Sequence, residues 1–217
     1  MSSEPLVAGL YAITDTGCIE PVQLVDAVKL AIAGGARLIQ YRDKSDDRAS
    51  RKHQAAALAQ VCQRHRTPFI VNDDIELATH VNADGVHVGH EDPGLAEARG
   101  MLGARRLIGV SCYNQLDLAL AAEAGGADYV AFGSFYRSPT KPSAVRAGPE
   151  LLRAAKQRLR IPIVAIGGIT PENAGELIVA GADAVAVIHG VFQQADIRQA
   201  ASRYAALFSP APKRLTP

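Results

Sequence analysis

The sequence predicts an α/β fold of a single domain, a closed (β/α)8 or TIM barrel. Three observations predict it. Eight short β-branched runs alternate with Ala-rich amphipathic stretches along the 217 residues, which is the pattern of repeated βα units. The runs are nearly continuous in Val, Ile, Leu and Ala, which implies burial on both faces and so parallel strands beneath helices. Three return segments, AGGARLIQ, AGGADYVAF and AGADAVAVI, place Gly between a helix end and the next strand. Gly suits a left-handed C-cap there, and a short loop then feeds a parallel strand.

Taken in order, strands are expected over 6–14, 38–42, 68–72, 85–88, 107–111, 129–133, 163–167 and 184–188. Helices are expected over 22–33, 47–64, 76–80, 94–100, 115–124, 149–159, 172–180 and 191–207, one after each strand. The near-repeats are unevenly spaced, so they are not a solenoid. An open doubly wound sheet is the rival topology, but no G-x-G-x-x-G follows the first strand. The domain spans 1–208. The Pro-rich, charged stretch SPAPKRLTP, 209–217, is expected to be disordered.

Composition narrows the function. Hydrophobic residues make up 48% and charged residues 21%, and the net charge is +1 from 23 Lys+Arg and 22 Asp+Glu. Such a balance asks for neither nucleic acid nor an anionic membrane. Cys18, Cys62 and Cys112 are too scattered for a disulfide framework or a CxxC metal site. A reducing, cytoplasmic setting is the natural reading. The stretch MSSEPLVAGLYAIT has no basic run and does not read as a signal peptide. No apolar run approaches a membrane span. Small-molecule substrates are expected as partners, and a homo-oligomer is left open.

In a barrel of this kind the active site lies at the C-terminal strand ends, so the polar residues there are the candidates. In QYRDK, Gln40, Arg42 and Lys44 are two apart and share a side while the strand persists; two cations among three polar groups point to an anion site. FIVNDD runs a buried strand into Asn72, Asp73 and Asp74, and HVGHED places Asp92 beyond the next strand. Asp73 and Asp92, from neighbouring loops, could hold Mg2+ with waters and a substrate oxygen. Asp74 is better placed to cap the following helix; Asp92, before Pro93, has the same alternative.

The segment SFYRSPTKPSAVRAG after the sixth strand carries Arg137, Ser138, Thr140, Lys141 and Arg146. A long loop of hydroxyls and cations can serve as a lid over phosphates. AIGGIT places Gly167 and Gly168 where backbone could approach a ligand, and Thr170-Pro171 opens a helix. AVIHG ends the eighth strand, and N–H groups after strands seven and eight form the usual barrel phosphate site. His87 and His90 give H-x-x-H, where packing or a substrate contact is favoured over zinc. Ser111 has no base spaced for a triad, so it is read as a hydrogen-bonding group.

Together these motifs resemble the thiamine-phosphate synthase family. QYRDK, VNDD, HVGHED, GVSCYN, AFGSFYRSPTKPSA and AIGGITPENA stand in the family's order and spacing, from about Tyr11 to Phe192. The resemblance implies condensation of hydroxymethylpyrimidine diphosphate with thiazole phosphate, or its carboxylate, to thiamine phosphate and pyrophosphate. It implies Gln40, Arg42 and Lys44 on the diphosphate, Asn72 and Ser111 on the pyrimidine substrate, Mg2+ on Asp73 and Asp92, and Lys141 on the leaving pyrophosphate. Ser138, Thr140, Gly168 and the backbone at Ile188 and His189 would hold the thiazole phosphate. The sequence departs from the family pattern at His90, commonly Gln, and at His189, often Ser. Two rivals are a thiazole tautomerase-like isomerase, which needs an acid or base rather than a diphosphate clamp, and a non-catalytic barrel binding a phosphorylated metabolite.

Overall fold

A computed structural model of the chain describes residues 6–89, 94–137 and 145–208. Eight parallel strands follow one another around a closed barrel: β1 (Gly9–Ile13), β2 (Ala36–Tyr41), β3 (Phe69–Asn72), β4 (Gly85–Val88), β5 (Leu107–Tyr113), β6 (Tyr129–Gly133), β7 (Ile163–Ile166) and β8 (Ala184–Val187). β8 pairs back onto β1, with Leu10 opposite Val185. Closure leaves no sheet edge and excludes the open doubly wound alternative.

The helices are α1 (Leu24–Ala33), α2 (Arg48–His65), α3 (Ile75–His80), α4 (Leu95–Leu102), α5 (Leu116–Ala124), α6 (Pro149–Arg158), α7 (Pro171–Ala180), α8 (His189–Phe192) and α9 (Ile197–Ala205). The sequence reading places one helix over 191–207; the structure breaks it. Val191 and Phe192 bury themselves at the end of the short α8. The Asp196 carboxylate then accepts the Gln199 N–H at 2.9 Å and starts α9 afresh. The first strand is also shorter than expected, because Gly9 sits at φ +84° and Leu6 is exposed. β5 runs two residues further, through an irregularity between Ser111 and Tyr113. The stretch 209–217 lies outside the described residues.

Side-chain parity divides the core in two. On β6, Tyr129 and Ala131 join the cluster inside the barrel, whereas Val130 and Phe132 pack under the helices. On β1, Tyr11 and Ile13 face in, and Leu10 and Ala12 face out. This two-sided burial explains why the strands read as continuous apolar runs.

The opposite end of the barrel is stapled by a repeated device. Asp84, Asp128 and Asp183 each stand just before an even-numbered strand. Their carboxylates accept the N–H of Phe69, Ile108 and Ile163, at 2.8, 2.7 and 2.9 Å. Each bond satisfies a backbone donor at the start of a neighbouring strand. Gly181, at φ +119°, makes the left-handed turn between α7 and β8 that the AGAD segment calls for.

Candidate active site at the C-terminal mouth

The alternation that builds the core also builds the site. Leu38 and Ile70 face the interior, so Gln40 and Asn72, two residues on, face it too. Val86 and Val88 pack outward, which turns His87 inward. These residues and Ser111 line a cavity of about 390 Å3 in the barrel mouth, with Ile13, Val164 and Ile166 among its apolar walls.

A chain of hydrogen bonds crosses the floor of this cavity. Gln40 Nε2 donates to Tyr11 Oη at 2.7 Å, and the Tyr11 and Tyr129 hydroxyls lie 2.9 Å apart. His87 Nδ1 is 3.1 Å from Tyr129 Oη, and His87 Nε2 is 2.9 Å from Ser111 Oγ. The His87 and Tyr129 rings stack with centroids 5.5 Å apart. Burial, above all, drives both phenols well above their ordinary pKa, so they stay neutral and can donate and accept. The sequence marks Gln40 and Ser111 as candidates, whereas Tyr11 and Tyr129 look like ordinary strand residues in it. Their inward parity was the available signal. Both ring nitrogens of His87 face hydroxyls, which argues against zinc there. His90 lies outside the described residues.

At the rim, β2 ends at Tyr41, so the shared side expected for Gln40, Arg42 and Lys44 holds along the strand only for the first of them. Arg42 still lines the cavity; its Nη1 donates to Asp15 Oδ2 at 2.9 Å. Lys44 reaches Asp73 instead, with Nζ 2.5 Å from Oδ2. The Asn72 side-chain amide donates to the same Asp73 oxygen at 2.6 Å. Asp73 is left-handed, at φ +61°, which turns the chain out of the strand. Asp74 does what its sequence position suggests: Oδ1 accepts the Leu77 N–H at 2.8 Å and caps α3. Its other oxygen takes Arg51 Nη2 at 2.7 Å.

A second cavity, about 220 Å3, lies beyond β7 and β8. Gly168, Ile188 and His189 line it together with Arg137, and Ile188 and Gly167 also line the first cavity. Backbone beside the short α8 matches the usual phosphate position of this fold. The paired glycines have another reason to be glycines. A Cβ on Gly168 would stand 2.2 Å from the Arg137 carbonyl oxygen, and one on Gly167 would stand 2.0 Å from Ser134 Oγ. The chain leaving β6 therefore packs directly on them, and the close approach is to protein backbone. Phe135 N–H to Ile166 O at 3.1 Å and Tyr136 N–H to Gly167 O at 2.9 Å fix that contact. Arg146 returns to the same strand exit, donating to the Phe135 carbonyl at 3.2 Å. Asp92, Ser138, Thr140 and Lys141 lie outside the described residues, as does the middle of the expected lid.

No helix among the described residues is long and apolar enough to cross a membrane. Cys62 and Cys112 are buried, and burial pushes each thiol up to about 12. Neither is a reactive nucleophile.

Comparison with known proteins agrees with this geometry. Residues 10–191 match the family model described as thiamine monophosphate synthase. The thiamine-phosphate synthase of Nitrosococcus oceani is 52% identical over 198 residues, 91% of each chain. That of Thioalkalivibrio sulfidiphilus is 52% identical over 200 residues, 92% of this chain and 95% of its own. The solved thiamine phosphate pyrophosphorylase of Pyrococcus furiosus superposes with a TM-score of 0.82 at 36% identity, covering 92% of this chain and 95% of its own. The inward-facing polar floor, the cationic rim and the extent of these matches lead to one conclusion: the chain belongs to the thiamine monophosphate synthase family.

Proposed function

We propose that this chain is a thiamine-phosphate synthase, a transferase that condenses hydroxymethylpyrimidine diphosphate with thiazole phosphate, releasing pyrophosphate. The observation that carries the reading is the pairing of two adjoining cavities, one with a polar floor and cationic rim, the other built from backbone beside β7 and β8. In this reading the pyrimidine occupies the first cavity, where Gln40, Asn72 and Ser111 offer both donors and acceptors. Arg42 and Lys44 meet the diphosphate. The thiazole phosphate takes the second cavity, held by the backbone at Gly168, Ile188 and His189, with Ser138 and Thr140 as its hydroxyl donors.

The Asp73 carboxylate fits a hard divalent cation. It is an oxygen donor at the rim, oriented by Asn72 and already holding the Lys44 ammonium. Asp73 and Asp92 would hold Mg2+, which when bound spreads the charge of a leaving pyrophosphate. Arg42, Lys44 and Lys141 act toward the same end by donating to the departing oxygens. The bond from the pyrimidine methylene carbon to oxygen breaks and its electron pair leaves with pyrophosphate. The electron-rich aminopyrimidine shares the positive charge left behind. The thiazole nitrogen then supplies the pair for the new C–N bond. No protein nucleophile is needed; Ser111 does have a base beside it, His87 Nε2 at 2.9 Å, but the other ring nitrogen faces the neutral Tyr129 hydroxyl rather than a carboxylate. Apolar walls such as Val164 and Ile166 keep water from the carbon.

The test is a coupling assay with both substrates, with and without Mg2+, following thiamine phosphate. Metal-dependent product is expected. No product from folded protein would overturn the reading and bring the isomerase and the non-catalytic barrel forward.

A further inference from the structure

Closing the barrel sets the exit of β1 beside the exit of β8, because these strands pair in register from Gly9–Ala184 to Ala12–Val187. The consequence is a cluster of side chains that the proposed synthase chemistry does not use, since that reading calls only on the backbone of His189. Asp15 and Cys18 come from the turn after β1, and His189 is the first residue after Ile188. One ligand-capable atom of each lies within 4.8 Å of the others, and all three residues are half-buried.

The turn is built to hold its two side chains. Cys18 N–H donates to the Asp15 carbonyl at 2.8 Å, closing four residues, and Gly17 N–H donates to Asp15 Oδ1 at 3.0 Å. His189 is fixed at the start of α8, whose far end is anchored by buried Val191 and Phe192. We propose that Asp15, Cys18 and His189 form a binding site for a soft divalent cation of the zinc class, separate from the oxygen site at Asp73.

The donor set selects the metal. One thiolate, one imidazole and one carboxylate suit Zn2+ or Co2+, whereas Mg2+ takes oxygen ligands. Tetrahedral ligands at zinc bond lengths sit ~3.3–3.7 Å apart, so the side chains close by at most about 1.5 Å on binding. Three protein ligands leave one coordination position for a water or an anionic oxygen. The Arg42 guanidinium already donates to Asp15 Oδ2. A carboxylate has about four lone-pair sites, so guanidinium and metal can share it. Burial and the Asp15 charge hold the Cys18 thiol above its ordinary pKa. The free thiol is therefore a poor nucleophile, and the arriving cation displaces its proton. The site does not depend on which substrates the mouth takes.

The experiment is a titration of untagged, chelator-stripped protein with Co2+, followed by absorbance. One equivalent should give a thiolate-to-cobalt charge-transfer band with the visible bands of a tetrahedral ion. Zn2+ should abolish the band stoichiometrically, and a large excess of Mg2+ should leave it intact. Cys18→Ala should lose the charge-transfer band. His189→Ala should lower Co2+ affinity by more than the ~10–100-fold typical of losing an outer-shell partner. Cys62→Ala and Cys112→Ala should keep the band, and Cys18→Ser, checked for an unchanged melting curve, separates ligand loss from misfolding. No band in the parent protein overturns the proposal, and so does a band that survives Cys18→Ala.

Discussion

Gly109→Ala should damage both the stability of this barrel and the floor of its mouth. Gly109 lies on β5 opposite Tyr129 on β6. A Cβ at residue 109 would stand 2.0 Å from Tyr129 Cζ and 2.4 Å from its hydroxyl oxygen. The ring must move, and Tyr129 is fully buried and bonded to Tyr11 and His87. Overpacking a core costs ~1–3 kcal/mol. Two hydrogen bonds lost in a buried site add ~1–3 kcal/mol for each group left unsatisfied. The expected loss is therefore roughly 3–9 kcal/mol, comparable with the whole of a normal domain's 5–15 kcal/mol. Urea unfolding of the single variants and of the Gly109→Ala/Tyr129→Ala pair gives the coupling. In the Tyr129→Ala background the added methyl enters space the ring has left, so the second change should be nearly free. A coupling of ~2 kcal/mol or more is expected; additivity within ~0.5 kcal/mol would refute the reasoning. Because His87 positions Ser111, a partly folded Gly109→Ala protein should also show a raised KM for the pyrimidine diphosphate.

Other substitutions separate neighbouring roles. Asp73→Asn should raise the Mg2+ concentration needed for half-maximal rate, whereas Asp74→Ala should leave that requirement alone and lower stability by ~1–2 kcal/mol, as loss of an N-cap does; a reversed outcome in metal titration and thermal melting would exchange the two assignments. Lys141→Ala should lower kcat by ~10²–10³-fold, the scale of one lost transition-state contact, and near-parental turnover would remove Lys141 from the mechanism. Alkaline pH should destabilise the fold. Burial holds Tyr11 and Tyr129 above their ordinary pKa, and Tyr204 is pushed up to about 12. The unfolded chain releases phenolic protons from about pH 10 while the folded chain keeps them, so stability is intact below that pH and falls above it, by at most ~1.4 kcal/mol per unit for each phenol. Urea midpoints unchanged between about pH 9 and 11 would contradict this, and Tyr129→Phe should flatten the slope.

Much of the site was legible because strand parity is a local rule. Gln40 and Asn72 face inward for the same reason that Leu38 and Ile70 do, and this follows from spacing along single strands. Asp74 as a cap was legible for a similar reason, since an N-cap bonds within three residues. Lys44 was harder. Its alternation with Arg42 assumes that β2 continues, and the strand stops at Tyr41. The break between α8 and α9 was missed because Val191, Phe192 and the later apolar positions still fit helical spacing, while Asp196 restarts the helix.

The eight βα units, the parallel pairing and the family can all be read along the chain, because each rests on periodicity and ordered motifs. What the inward residues touch depends on the closed barrel. The Gln40–Tyr11–Tyr129–His87–Ser111 chain links five strands, and no spacing along one strand encodes a contact across a barrel. The same holds for Gly167 and Gly168, whose lack of a side chain makes room for the segment leaving β6. It holds as well for Asp15, Cys18 and His189, which become neighbours only when β8 closes onto β1. Local physics sets the elements and the faces they bury, and closure of the barrel chooses which faces meet.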